Sequence, residues 1–424
     1  MSKLIYVVID GMGDVPIKEL GNKTPLAVAN TPNLGFLAEN GKTGLMYTVG
    51  KGIAPESDAG VLSILGYNPH KYEASRGVLE AVGSGLVFED GDLALRCNFA
   101  TLSSNGVVLD RRAGRNLTEK EAADLSREIN IKVKLISHPA KFRFKATFGH
   151  RGVLIIRGKG IFLSGRITNT DPAYTRVGGI GVVNNDAKMI LQKSEPMDSI
   201  EAARISADLV NEFSEKSHRI LDQSAVNQVR LTEHKLSANG VLSRDAGHSL
   251  PKFPAINKEY GVNFCCLADM PLEVGIAQLV GMHIVNLPRP SGDLIRDCEI
   301  RVRKLLGILN SYDCFYIHIK GPDEPGHDGN YRLKASMIEI IDRYFFGLLL
   351  QKINLEEHTL CITADHATPC TLKAHSDDPV PVLISGDTIK GDGNKKFSEE
   401  SCSNGSLGLI EHGVELMPKL IKFL

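Results

Sequence analysis

The chain has 424 residues, of which 42% are hydrophobic and 23% are charged, a composition typical of folded globular proteins and not of disordered ones. This length favours two domains over one. The 49 basic and 50 acidic residues leave a net charge of -1 and no basic stripe, which argues against nucleic acid as a partner.

The cysteines and the apolar runs indicate the cellular compartment. Eight cysteines are scattered without a CxxC pair, and several lie inside apolar runs such as NFCCLA and TLCITA. Reduced core thiols of this kind are typical of cytoplasmic proteins. The N-terminal apolar run has about six residues, too few for a signal sequence or a membrane span, and no other stretch reaches about 18. We therefore expect a soluble, cytoplasmic protein without a membrane partner.

The first predicted elements follow an α/β pattern. Residues 4–9 form an apolar run that ends at Asp10, the profile of a parallel strand buried on both faces. The stretch NTPNLGFLAENG predicts a helix with Thr31 as its N-cap and Pro32 in its first turn. The stretch KGIAPESDAGVLSILGY predicts a second helix that begins near Ser57.

The pattern changes between about residues 90 and 250 and then returns to α/β. Short strands are predicted by LALRCNFATL, VKLISHPAKFRFKATF and RGVLIIRG, and helices are predicted over 118–130 and 199–221. Further along, the strands CFYIHIKG, TLCITAD and VPVLIS surround the helix RLKASMIEIIDRYFFGLLLQKI. We therefore predict an α/β core domain interrupted by a smaller α+β inserted domain.

Three of the predicted strands run into an aspartate: Asp10, Asp323 and Asp365. The carboxyl ends of parallel strands meet at one edge of a sheet, where ligands bind. Crowded carboxylates repel one another unless cations lie between them. For each aspartate taken alone, a turn or a helix cap is the ordinary alternative.

Histidines accompany these aspartates. His327 follows Asp323 by four residues, His366 follows Asp365 directly, and His375 lies nine residues beyond His366. Mixed Asp and His sets bind Zn, Mn, Co or Fe ions, and two such ions stabilise both oxygens of an in-line phosphoryl displacement. The pattern predicts a two-metal site for phosphoryl transfer.

Ser57 is the candidate nucleophile. A serine at the start of a helix meets free backbone N–H groups and the positive end of the helix dipole, which favour an alkoxide and a phosphate. Without its context, Ser57 would more often be only an N-cap. Beside two metal ions, the nucleophile is the better interpretation.

Several segments resemble one known family. The chain is similar to the archaeal-type 2,3-bisphosphoglycerate-independent phosphoglycerate mutases, a branch of the alkaline phosphatase superfamily, in VIDGMGD, KTPLAVANTPNL, SDAGVLSILGYNP, SRGVLEAVGSGL, RCNFATL, DRRAGR, DEPGHDGN and TADHATPCTLKAHSDDPVPVLI. The resemblance implies an alkaline-phosphatase-like core domain of residues 1–88 and 256–424. It also implies an inserted, transferase-like domain of residues 89–255 that holds the substrate as a lid.

The resemblance implies two divalent ions and no 2,3-bisphosphoglycerate cofactor. The first ion would be held by Asp10, Ser57, Asp365 and His366, and the second by Asp323, His327 and His375. The candidate ions are Mn²⁺, Co²⁺, Mg²⁺ and Zn²⁺, because such ligand sets accept several metals. Glu56 departs from the family pattern, in which we expect glycine, and SRDAG at 243–247 departs from an expected LRGAG.

The implied reaction is an isomerisation in glycolysis and gluconeogenesis. Ser57 would attack the phosphate of 3-phosphoglycerate to give phosphoserine and glycerate, and the other hydroxyl would take the phosphate back as 2-phosphoglycerate. The inserted domain would close to exclude water. A homo-oligomer is compatible with the sequence.

Arginines in and near the inserted domain would hold the substrate carboxylate and phosphate through paired hydrogen bonds. In DRRAGR the outer arginines are four residues apart, hence on one face if the segment is helical, and GHRG is a glycine-flanked loop. The candidates are Arg111, Arg115, His150 and Arg151, followed by Arg76 and Arg244. Each arginine taken singly is more often a solvated surface charge.

Two other functions remain open. A two-metal phosphatase or phosphonate hydrolase of the same superfamily would share the serine chemistry but release phosphate. A metal-binding protein without turnover would keep the ligands alone.

Overall fold

The computed structural model describes residues 2–72, 74–177, 180–184 and 187–424, and the chain divides into two compact units. Unit 1 comprises Met1–Tyr72, Lys252–Asp269 and Ile276–Leu424, and unit 2 comprises Glu73–Pro251 and Met270–Gly275. The domain boundaries drawn from the sequence differ from this division at residues 73–88, 252–255 and 270–275, and they stay a prediction.

The strands are numbered in chain order. They are β1 (Lys3–Ile9), β2 (Gly41–Met46), β3 (Leu93–Leu102), β4 (Val108–Asp110), β5 (Ala140–Ala146), β6 (Arg151–Gly158), β7 (Tyr174–Val177), β8 (Ile180–Val183), β9 (Gly240–Gly247), β10 (Phe264–Leu267), β11 (His283–Ile284), β12 (Cys314–Ile319), β13 (His358–Thr363), β14 (Val380–Ser385) and β15 (Gly408–Ile410).

The helices are numbered in the same way. They are α1 (Pro25–Val28), α2 (Pro32–Glu39), α3 (Ser57–Ile64), α4 (Arg76–Gly83), α5 (Glu119–Lys132), α6 (Glu201–Asp222), α7 (Ala225–Thr232), α8 (Ile256–Tyr260), α9 (Pro271–Leu279), α10 (Leu294–Leu306), α11 (Asp323–Asp328), α12 (Tyr331–Ile341), α13 (Gly347–Leu350), α14 (Glu399–Ser403) and α15 (Leu416–Leu420). Short 3-10 helices lie at Lys18–Leu20, Ala113–Arg115, Gly413–Glu415 and Ile421–Phe423, and a π-helical turn lies at Asp342–Phe346. Within the described residues, every helix is too short or too polar to cross a membrane.

Among the described residues of unit 1, eight strands form a sheet in the order β11-β10-β12-β1-β13-β14-β2-β15. The strands from β11 to β13 in this order are parallel. The central strands are buried along nearly their whole length, as apolar runs predict for strands covered on both faces. Val8 on β1 pairs with His318 on β12 and with Thr363 on β13. The carboxyl ends of these three strands therefore lie level at one edge.

The described part of unit 2 contains an antiparallel sheet in the order β4-β3-β6-β5, with β9 also paired to β3. Its core joins the buried strand β3 to the apolar faces of α5 and α6, for example at Leu125, Ile129 and Phe213. The helices predicted over 118–130 and 199–221 are confirmed at Glu119–Lys132 and Glu201–Asp222. The prediction of an α/β core with an α+β insertion is confirmed.

Candidate active site

Three buried donor atoms meet at the carboxyl ends of β1, β12 and β13. They are Asp10 Oδ1, His318 Nε2 and Asp365 Oδ2, and the imidazole nitrogen lies 3.9 Å from each of the two carboxylate oxygens. None of these atoms has a hydrogen-bond partner among the described residues. Buried polar atoms are rarely left without partners. A donor set of this composition and spacing fits a divalent cation.

The charges of this group also favour a cation. Burial and the charge of Asp10 raise the pKa of Asp365 to about 8. Burial would raise the pKa of Asp10 too, but it is held well below its ordinary range by Lys320, whose Nζ lies 3.0 Å from Asp10 Oδ2, and by nearby histidines. Two carboxylates this close do not both ionise readily without positive charge beside them.

A second group consists of Asp323, His327 and His375. His327 Nδ1 lies 3.1 Å from the carbonyl oxygen of Lys373, and His375 Nδ1 lies 2.8 Å from that of Pro55. A carbonyl only accepts, so each Nδ1 carries a proton. The two Nε2 atoms lie 3.2 Å apart and 3.4 Å from Asp323 Oδ1. A metal-binding histidine is neutral, and in that state three acceptors converge here, so that a cation would relieve their repulsion.

Negative charge dominates the surroundings of His375. Burial by itself would lower the pKa of His375, but the hydrogen bond to Asp323 and the charges of Glu56 and Asp323 outweigh it and raise this pKa to about 10. Glu56, which replaces the glycine expected there, therefore adds to the negative potential of the second group. A potential that retains a proton so strongly also attracts a metal ion.

Ser57 is the first residue of α3, and Glu56 occupies the N-cap position. The interpretation of Ser57 as only an N-cap is therefore wrong. Its Oγ is nearly buried and lies 3.2 Å from His366 Nε2. A Cβ at Gly60 would lie 2.2 Å from the carbonyl oxygen of Asp365, so glycine at this position lets α3 approach the loop that carries Asp365 and His366.

The loop after β13 joins the two donor groups. The rings of His366 and His375 stack with centroids 3.7 Å apart, and burial together with the charge of His375 lowers the pKa of His366, which keeps this ring neutral. The residues predicted as metal ligands thus come together in unit 1: Asp10, Ser57, Asp323, His327, Asp365, His366 and His375. Their roles as ligands stay a prediction.

In unit 2, Arg111 and Arg244 converge on Asp171. Arg111 donates from Nε and Nη2 at 3.0 and 2.6 Å, and Arg244 Nη1 lies 3.2 Å from the same carboxylate. Both guanidinium groups also contact the ring of Tyr174, at 4.8 and 3.7 Å from its centroid. The two arginines are therefore held in fixed positions by shared partners.

The backbone around Arg115 is not an α-helix. Ala113, Gly114 and Arg115 have positive φ angles of 46°, 72° and 55°, so the chain forms a tight left-handed turn. The condition under which Arg111 and Arg115 would share one helix face is therefore not met, because each of these φ values lies far from the helical region.

Positive charge also concentrates around His150 and Glu80. Arg76 Nε and the buried Arg96 Nε lie 2.9 and 3.4 Å from Glu80 Oε1. Burial and then the charges of Arg151 and three further arginines lower the pKa of His150 to about 2, so its ring is neutral. This concentration of positive charge fits an anion.

Sequence reasoning missed His318, Lys320, Arg96 and Asp171. His318 and Lys320 are two residues apart on the strand FYIHI and its extension, so they project from the same face. A histidine inside an otherwise apolar strand was the available signal. Arg96 and Asp171 gave no comparable signal, because their roles depend on partners distant in the sequence.

Comparison with known proteins agrees with these features. The family model described as 2,3-bisphosphoglycerate-independent phosphoglycerate mutase matches residues 38–227. Proteins of that name from Aeropyrum pernix and Thermococcus kodakarensis are 39% and 37% identical to all of this chain, over 99% and 97% of their own lengths.

Solved structures are also similar to this chain over nearly its whole length. A protein of Pyrococcus horikoshii is 30% identical, with a TM-score of 0.77 over 99% of this chain and 97% of its own. The cofactor-independent phosphoglycerate mutase of Thermoplasma acidophilum is 31% identical, with a TM-score of 0.61 over all of both chains. The chain belongs to the family of 2,3-bisphosphoglycerate-independent phosphoglycerate mutases.

Proposed function

We propose that this chain interconverts 3-phosphoglycerate and 2-phosphoglycerate by way of a phosphoserine at Ser57. Full-length similarity to mutases supports the reaction, and the position of Ser57 supports the mechanism. Its Oγ lies 3.2 Å from His366 Nε2, where the two donor groups adjoin. A nucleophile at this point has cation-binding groups on either side of the transferred phosphoryl group.

The donor set fits two divalent ions, whose positive charge would stabilise the attacking and leaving oxygens. Asp10, Asp365, His366 and Ser57 would hold one ion, with His318 as an added candidate, and Asp323, His327 and His375 would hold the other. The choice among Mn²⁺, Co²⁺, Mg²⁺ and Zn²⁺ belongs to the proposal, as do a cytoplasmic location and a homo-oligomer.

The proposed reaction needs no 2,3-bisphosphoglycerate, because the phosphoryl group passes from the substrate to Ser57 and back. Ser57 Oγ loses its proton and forms a bond to phosphorus while the bond from phosphorus to the 3-oxygen of the substrate breaks, and the 3-oxygen takes up a proton to become a hydroxyl. Glycerate then presents its 2-hydroxyl, which loses its proton and takes the phosphoryl group, while Ser57 Oγ regains a proton. The substrate anion is proposed to bind to residues of unit 2: Arg111, Arg115, His150, Arg151, Arg76 and Arg244.

The first experiment follows 2-phosphoglycerate and free phosphate together after the purified protein receives 3-phosphoglycerate and Mn²⁺. The mutase produces 2-phosphoglycerate. Free phosphate without 2-phosphoglycerate would instead indicate the two-metal phosphatase. Neither product, with Mn²⁺ still bound, would indicate a binding protein without turnover.

A matched pair of serine variants tests the nucleophile. Ser57→Ala should abolish both the phosphoserine detected by mass spectrometry and turnover. Ser63→Ala is the control, because Ser63 lies in the same helix, is fully buried, and has an Oγ without a hydrogen-bond partner among the described residues. It should keep both signals. Normal turnover in Ser57→Ala would remove Ser57 from the mechanism.

A further inference from the structure

The buried hydroxyl of Thr368 lies between the two donor groups of unit 1. Its Oγ1 donates to Asp323 Oδ1 at 2.7 Å and lies 3.0 Å from His366 Nδ1. Asp323 belongs to one donor group, and His366 is a proposed ligand of the other ion. A single side chain therefore contacts a ligand of each proposed ion.

The proton positions follow from these contacts. A hydroxyl has one proton, and Thr368 gives it to the carboxylate of Asp323. The hydroxyl oxygen can therefore only accept from His366, so the Nδ1 atom of this ring carries a proton. His366 Nε2 keeps its lone pair, and this is the nitrogen that lies 3.2 Å from Ser57 Oγ.

The position of Thr368 is fixed by its backbone. Its N–H donates to the carbonyl of Gly13 at 3.0 Å, and its own carbonyl accepts from Lys334 Nζ at 2.8 Å. Two glycines leave the space that it occupies: a Cβ at Gly11 would lie 2.8 Å from Thr368 Oγ1, and one at Gly326 would lie 2.6 Å from its carbonyl oxygen. The hydroxyl therefore has little freedom to move away from its two partners.

We propose that Thr368 is a positioning residue that couples the two metal sites, by fixing the tautomer of His366 and the orientation of Asp323. The inference rests on the proposed metal role of these residues. Without the hydroxyl, His366 Nδ1 loses its acceptor and Asp323 loses a donor. The ring can then place its proton on Nε2, which removes a metal ligand.

The test compares Thr368→Val, which has nearly the same shape without the hydroxyl, with Thr368→Ser, which keeps it. Thr363→Val is the control, since Thr363 is equally buried and its hydroxyl donates to the carbonyl of Pro381 at 3.0 Å. The first measurement is the tautomer of His366 by ¹⁵N NMR of histidine-labelled, chelator-treated protein. The second is calorimetric titration with Mn²⁺.

We expect Thr368→Val to lose the Nδ1-protonated signal of His366 and to weaken Mn²⁺ binding at both sites about 10- to 100-fold. Thr368→Ser and Thr363→Val should resemble the wild type in both measurements. If Thr368→Val does not fold, Thr368→Ala serves in its place.

Two results would overturn the inference: an unchanged tautomer together with wild-type Mn²⁺ affinity in Thr368→Val, or a Thr368→Ser variant as defective as Thr368→Val. Failure of the proposed function is a different result. In that case the wild type would bind Mn²⁺ without forming 2-phosphoglycerate, while the tautomer still reported on Thr368.

Discussion

Each unit contains a fully buried cation that binds the loops carrying the candidate functional residues. In unit 1, Lys334 Nζ donates to the carbonyls of Gly13 and Thr368 and to Asp14 Oδ2, at 2.8 to 2.9 Å. It thereby ties the loop after β1 to the loop after β13. The side chain of Asp14 is as fully buried as that of Lys334.

In unit 2, Arg230 plays the corresponding part. Its Nη2 donates to the carbonyl of Ala113 and to Asn116 Oδ1, and so holds both ends of the left-handed turn that contains Arg115. Its charged partner Glu121 is 19% exposed, at 3.0 Å. The two buried cations, Lys334 and Arg230, differ in their carboxylate partners: the side chain of Asp14 is fully buried, whereas that of Glu121 keeps access to water.

Removal of Lys334 should have the largest effect. Lys334→Met leaves Asp14 buried without a cation, and we expect the free energy of unfolding of the metal-free protein to fall by about 3–5 kcal/mol. Chemical denaturation measures this change. Lys419→Met is the control, since the pair of Lys419 and Glu415 is largely exposed and is worth about 1 kcal/mol or less. Equal losses in both variants would contradict the role of burial.

Metal binding should stabilise unit 1 and leave the stability of unit 2 unchanged. Free Mn²⁺ at about 100 times its Kd should stabilise unit 1 by about 2.7 kcal/mol, because the ion binds the folded state only. Hydrogen exchange measured with Mn²⁺ and with chelator should show this protection in β1, β12 and β13. The strands of unit 2 serve as the internal reference, and equal protection there would argue against a site confined to unit 1.

Removal of Arg230 should cost less. Arg230→Met leaves Glu121 partly hydrated, so we expect a loss of about 2–3 kcal/mol. Hydrogen exchange should become faster at residues 113–116, and the KM for 3-phosphoglycerate should rise while the affinity for Mn²⁺ stays the same. Arg219→Met, in an exposed pair with Glu215, should change none of these quantities. Weakened Mn²⁺ binding in Arg230→Met would contradict a metal site that depends on unit 1 alone.

The strand-end aspartates could be predicted from the sequence because two general rules determine their place. Continuous apolar runs become central strands, and parallel strands end at one edge, as the pairing of Val8 with both His318 and Thr363 confirms. Asp10 and Asp365 follow directly from this register. Asp323 lies four residues beyond β12, at the start of α11, where its carboxylate contacts Thr368 and His375 in the loop after β13.

Long-range contacts of side chains with the backbone could not be predicted. The sequence predicts Thr31 as the N-cap of α2, but its side chain makes no capping bond, and the carboxylate of Asp342 accepts from the N–H groups of Asn33 and Leu34 instead. Lys334 lies in α12 and Arg230 in α7, and the sequence next to each residue does not indicate which groups it contacts. Such partners lie tens to hundreds of residues away and leave no periodic pattern.

Carboxyl groups next to the two buried cations have pKa values shifted in opposite directions. Glu399 accepts from the N–H of Asp14 at 3.1 Å and from Thr24 Oγ1 at 2.5 Å. Burial raises the pKa of Glu399 from 4.5 to about 7. In unit 2, burial would also raise the pKa of Glu121, but hydrogen bonds from Thr118 and Arg230 outweigh it and lower this pKa.

The two carboxyl groups should therefore give opposite pH dependences. Because the folded protein holds the Glu399 proton more tightly, its contribution to stability is complete below pH 4.5 and is lost as the pH rises through about 7. Glu121 behaves in the reverse sense, and its contribution is lost as the pH falls. Glu399→Gln should remove about 2–3 kcal/mol of the difference in unfolding free energy between pH 5 and pH 8. Denaturation at both pH values, compared with the wild type, cancels the other titrating groups, and an unchanged difference would show that Glu399 is ionised in the folded protein throughout this range.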